Sequence, residues 1–151
     1  MGYASFCAFA ALIIAQHYAS PKMQVITALN AMYEIEHIFR KIESVPDFSG
    51  CTVDSVHFRN GYGDTPLHVV SNWGDCEAIK VLVSAGADVN AVGETGFTPL
   101  HCASEQNHSR AVALLLSFGA SIMKDGNGET PQSLAELLGN KEAILAFTKS
   151  I

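Results

Sequence analysis

The tetrapeptide Thr-Pro-Leu-His occurs twice, at residues 65–68 and 98–101, a spacing of 98 − 65 = 33. Self-similarity at a fixed period of this length constrains the fold more than any other feature, because one such unit cannot bury its own apolar face and must stack on a neighbour. The copies keep step around the tetrapeptide: Gly63 with Gly96, Val70 with Ala103, Ala78 with Ala111, Ile79 with Val112, Leu82 with Leu115, Gly86 with Gly119, Ala87 with Ala120. A third copy opens at Gly128, where Thr130 and Pro131 return but Gln132 and Ser133 replace Leu and His.

Each unit announces a helix start. Thr65, Thr98 and Thr130 are N-cap residue types, and Pro66, Pro99 and Pro131 follow at the first helical position, where a missing N–H costs nothing and φ is preset. Ala78, Ile79, Val81 and Leu82, matched by Ala111, Val112, Leu114 and Leu115, recur with helical spacing and predict a second helix facing neighbouring units. Gly86 and Gly119 then stop those helices as residues that tolerate φ > 0.

On these residues the chain, over roughly 63–147, resembles the ankyrin repeat, whose unit is a β-turn plus two helices carrying the TPLH signature. The resemblance implies an all-α fold, an ankyrin-repeat solenoid of helix-turn-helix units joined by β-turn or hairpin loops. It implies structural roles for Leu67 and Leu100, and for His68 and His101 as turn-stabilising histidines bonded to backbone. The expected units run 63–95, 96–127 and 128–151, the last a C-terminal cap.

Upstream the pattern decays. Ile35, Ile38, Phe39 and Ile42, among charged neighbours, make an amphipathic helix expected to be the second helix of a degenerate capping repeat within 23–62. Residues 44–62 form an insertion broken by Pro46, Gly50 and Gly61, with Val53, Val56 and Phe58 as a short strand or turn; it is a candidate functional loop or structural padding. Residues 1–21 carry no charge, and Phe6–Ala15 is apolar. The leader, 1–22, reads as a signal or anchor segment, a mis-assigned start ahead of Met23 or Met32, or a folded N-terminal helix. The expected location is cytoplasmic, or periplasmic or membrane-anchored with a true signal.

Chemistry finds little foothold. The six histidines and the acids show no HExxH spacing, and the four cysteines no CxxC pair, so no metal, cofactor or disulfide framework is indicated. No nucleophile elbow or phosphate-binding loop occurs, and a Cys51–His57 pair lacks an orienting third member, so the chain does not read as an enzyme and no small-molecule substrate is implied. A net charge of −6 and only nine Lys and Arg argue against nucleic acid and suit a basic protein partner.

Recognition therefore falls to the positions that the repeat frame leaves free. Carried over from the resemblance, these are Asn72 and Trp73, then Glu105 and Gln106, on the first helices. The turn tips add Tyr62, Asp64, Glu94, Phe97, Asn127 and Glu129. Trp73 is either a binding hot spot, sharing an aromatic patch with Tyr62 and Phe97, or packs under the 44–62 insertion. The chain also looks like small bacterial stand-alone ankyrin proteins, a set that includes immunity proteins encoded beside toxins. That likeness implies a monomer inhibiting a toxin by occlusion, the alternative being a scaffold or regulatory adaptor.

Overall fold

The computed structural model describes residues 21–149. Among them, all regular structure is helical. Helix α1 spans Pro21–Glu43, α2 Pro66–Trp73, α3 Cys76–Ser84, α4 Pro99–Glu105, α5 Ser109–Ser117, α6 Pro131–Leu138 and α7 Lys141–Lys149. Short 3₁₀ turns occupy Pro46–Phe48 and Glu94–Gly96.

The first helices, α2, α4 and α6, pack side by side in one row, and α1, α3, α5 and α7 form a second row against it. Between the rows run Leu67, Val70, Ile79, Leu82, Leu100, Val112 and Leu115, all without solvent exposure. Each Leu or Ile buried this way contributes about 1.5–3 kcal/mol over an exposed one. That burial, repeated at every unit, holds the stack.

Both ends of the helices follow the sequence signals. Thr65, Thr98 and Thr130 are the N-caps, each closing a capping box with the residue three positions on. At the other end, Gly86 (φ 95°) donates to the Val83 carbonyl at 2.9 Å and Ala87 to that of Leu82 at 2.9 Å. Gly119 (φ 86°) and Ala120 repeat this on Leu116 and Leu115, both at 3.0 Å. This paired closure satisfies carbonyls that a helix end leaves free.

The N-terminal region departs from expectation in one respect and decides between two readings in another. The amphipathic segment at Ile35–Glu43 is the end of a longer helix that begins at Pro21, inside the expected leader; residues 1–20 lie outside the described residues. Its buried Ile38, Phe39 and Ile42 face the stack, and it packs mainly on α3, which is the expected second-helix position. Of the two readings of Val53, Val56 and Phe58, the turn is the one observed, with the Phe58 N–H donating to the Ser55 carbonyl at 3.1 Å. Tertiary packing decides their place: Phe48, Val53 and Val56 are buried in one cluster with Leu67 and Val69 of α2, and the Phe48 and Phe58 rings meet at 6.0 Å. Glu43 helps hold the loop by accepting the Val53 N–H at 2.7 Å. From a loop, the insertion supplies the apolar cover that α2 would otherwise take from a preceding first helix.

Candidate protein-binding groove

Three turns, equivalent in register, line up beside the first helices. They are closed by Asn60 N–H to Asp64 O at 3.0 Å, Gly93 N–H to Phe97 O at 2.7 Å and Asp125 N–H to Glu129 O at 2.8 Å. In the first, the Asn60 Oδ1 atom accepts the N–H groups of Tyr62 and Asp64, both at 2.9 Å. In the third, Asp125 Oδ1 accepts those of Asn127 at 2.8 Å and Glu129 at 2.9 Å. The middle turn has Gly93 where the others have Asn or Asp. Here the Asp64 carboxylate reaches across from the first turn and accepts the Glu94 N–H at 3.0 Å. A Cβ on Gly93 would lie 2.1 Å from that carboxylate oxygen and 2.9 Å from His68 Nε2, so the absent side chain is what makes room.

The signature histidines tie each unit to the next turn. Nδ1 of His68 accepts the Thr65 N–H at 3.1 Å, leaving Nε2–H to donate to the Phe97 carbonyl at 3.1 Å. His101 repeats the pattern with the Thr98 N–H at 3.1 Å and the Glu129 carbonyl at 3.2 Å. Because Nδ1 faces a donor, the ring is required in its neutral form. Burial lowers the affinity of both imidazoles for a second proton, outweighing the backbone carbonyls that favour charge. Asp125 goes the other way: burial alone would raise its carboxyl, but the N–H groups of Glu129 and Asn127 hold it below the usual carboxylate range. In the third unit no later turn follows among the described residues, and Ser133 replaces histidine, its Oγ accepting the Thr130 N–H at 2.8 Å.

Between the first-helix row and the turns lies a groove of about 530 Å³. Of the residues expected to bind, it gathers Asp64, Asn72, Trp73, Glu94, Phe97 and Glu105. The insertion adds Val45, Asp47 and Phe48, which sequence reasoning did not single out because they lie outside any repeat. Four carboxylates, Asp47, Asp64, Glu94 and Glu105, thus line it, and no Lys or Arg does. Two cations stand close by: Lys41 pairs with Asp75 at 3.6 Å and lies over the Trp73 ring, and Arg59 donates to the carbonyls of Gly63 and Val92 at 2.7 Å each.

The Trp73 side chain stands between core and groove. It is half-buried against the core, with Lys41 Nζ 4.6 Å from its ring centroid, yet it also lines the groove. The Phe97 ring stacks on His101 at 5.1 Å, while Tyr62 stands exposed and is not among the lining residues, so the three aromatics do not form one patch. Gln106 and Asn127 are exposed outside the groove. Glu129 is occupied within the third unit, where its carboxylate accepts the Ser133 hydroxyl at 2.5 Å.

Other chemistry is sparse. Among the described residues no group of three His, Cys, Asp or Glu is placed to hold a metal ion, and no helix is long and apolar enough to cross a membrane. Cys51, Cys76 and Cys102 are free thiols, and burial pushes that of Cys102 up to about 12, far from the thiolate a nucleophile needs.

A family model of ankyrin repeats, in three copies, matches residues 11–125 and 67–149. Those spans cover most of the chain and include the capped units, the turn row and the groove between them. Ankyrin repeats generally mediate protein–protein interaction and are typically non-enzymatic. The protein belongs to the ankyrin-repeat family.

Proposed function

We propose that the groove and its turn tips bind a basic surface of another protein, and that the chain acts by covering that surface. The observation that carries this reading is the lining itself: four carboxylates without a basic residue, beside the half-buried Trp73 and Phe97. Carboxylates around a concavity steer a cationic partner in and set its register, while aromatic side chains supply rigid contact area at its centre. Neither nucleic acid nor a small-molecule substrate suits such a lining.

A monomer in the cytoplasm, inhibiting an adjacently encoded toxin in the manner of an immunity protein, is the form of this activity we favour. Its basic active site would be occluded, with no bond made or broken by the chain. The test is co-purification with the neighbouring gene's product and an assay of that product's activity. Retention is expected to weaken about tenfold in a Glu94→Lys, Glu105→Lys variant and to fall as salt rises from about 50 to about 500 mM. Binding indifferent to both would sink the acidic groove as the interface. Binding without inhibition would give the chain an adaptor role instead.

A further inference from the structure

Counted from the proline that opens each first helix, Asn72, Glu105 and Leu137 hold the seventh position and Trp73, Gln106 and Leu138 the eighth (66, 99 or 131, plus 6 or 7). Because α2 lies on α4 and α4 on α6, these positions form one row that runs on from the groove, which takes in Asn72, Trp73 and Glu105. The row changes character at its far end. Leu137 is 75% exposed and Leu138 50%, on a helix whose Pro131 and Ala135 are buried. We propose that these two leucines are the apolar end of the groove's interface. The partner whose basic residues enter the groove lays an apolar side chain on Leu137 and Leu138, and so binds in one direction only. This inference rests on the groove being the partner's interface.

Folding gives no reason for leucine at these places. Glu105 and Gln106 show that the two positions accept polar residues, and a terminal unit is expected to turn polar groups to water. Ala135, Ala143, Ala146 and Phe147 already close the core of the last unit. Adjacent packed helices lie about 8–10 Å apart, so the partner's apolar contact falls about that far beyond the cation that meets Glu105. A second copy of this chain suits the row poorly: at a net charge of −6 it would bring like charge against Glu105, whereas a basic partner brings the opposite. The two ends of the row then divide the work. Carboxylates speed arrival, and burial of the leucines slows departure.

The test measures binding kinetics of the full chain with the neighbouring gene's product by surface plasmon resonance. Leu137→Gln, Leu138→Gln changes no charge, and should raise the dissociation rate about tenfold while leaving the association rate within about twofold. Glu94→Lys, Glu105→Lys should do the reverse, mainly lowering the association rate. The melting temperature of the leucine variant should stay within about 2 °C, since both side chains are exposed. Leu145 is 54% exposed but lies on α7 in the second row, so Leu145→Gln should leave both rates unchanged. An unaltered dissociation rate in the leucine variant, beside weakened binding in the glutamate variant, overturns this inference and leaves the groove standing. Absence of binding by any form overturns both. An equal loss in Leu145→Gln would make the leucines an end face rather than part of the row, and a dimer abolished by Leu137→Gln, Leu138→Gln would give them to a second copy. Either result overturns the inference.

Discussion

At position 93, a methyl group and the Asp64 carboxylate compete for the same volume, and the chain gives that volume to the carboxylate. The middle turn thereby borrows from its neighbour the acceptor that Asn60 and Asp125 supply within their own turns. Gly93→Ala is expected to cost about 1–3 kcal/mol through overpacking. Asp64→Gly should relieve part of that cost, so the double variant loses less than the two singles together when urea midpoints are compared. The dependence of Gly93 on Asp64 was not readable from the sequence, since no motif links residues 29 apart (93 − 64 = 29) whose contact arises only once the units stack. The role of His68 and His101 was legible through the resemblance to the ankyrin unit, which implies a turn-stabilising histidine; the reach of each ring to the Phe97 or Glu129 carbonyl shows only in the stack.

Among the elements, those governed by local chemistry were the legible ones. The Thr-Pro starts and the glycine stops act over about one turn of chain and need no knowledge of the tertiary fold. Gly119 isolates this effect: an added Cβ would meet no atom within 4 Å, so the penalty of Gly119→Ala is conformational alone. At φ 86° it should amount to about 1–2 kcal/mol, seen as a lower denaturation midpoint with an unchanged slope. The insertion was the least legible element. Val53, Val56 and Phe58 carry a strand-like composition, and only burial with Phe48 against α2 fixes them as an irregular plug. For the same reason Asp47 escaped notice, although it brings a carboxylate to the groove that Asp64, Glu94 and Glu105 also line. Trp73 was visible as an oddity; that it serves core and groove together depends on where α1 ends.

On the scale of the whole molecule, stability is the sum of what holds each unit and what joins it to the next. Two of the joints are neutral imidazoles. Their folded affinity for protons lies below the ordinary value of 6.5, so the unfolded chain takes up protons first as pH falls. The stability they contribute is therefore whole above about pH 6.5 and is lost as pH drops through and below it. The melting temperature should fall between about pH 7.5 and about pH 5.5, and fall less in a His101→Asn variant, which has one titrating joint fewer. A melting temperature flat across that interval would mean that the imidazoles are not the acid-sensitive link.

The replacement of histidine by Ser133 also gives the array a direction of growth. Nε2 of His68 and of His101 spans the gap to the following turn, whereas the Ser133 hydroxyl is spent on Thr130 and Glu129 of its own unit. A designer who grafted another repeat after residue 149 would set its first turn against a side chain too short to fasten it. Restoring histidine at 133, and freeing Glu129 from that hydroxyl, is the first edit such an extension would require.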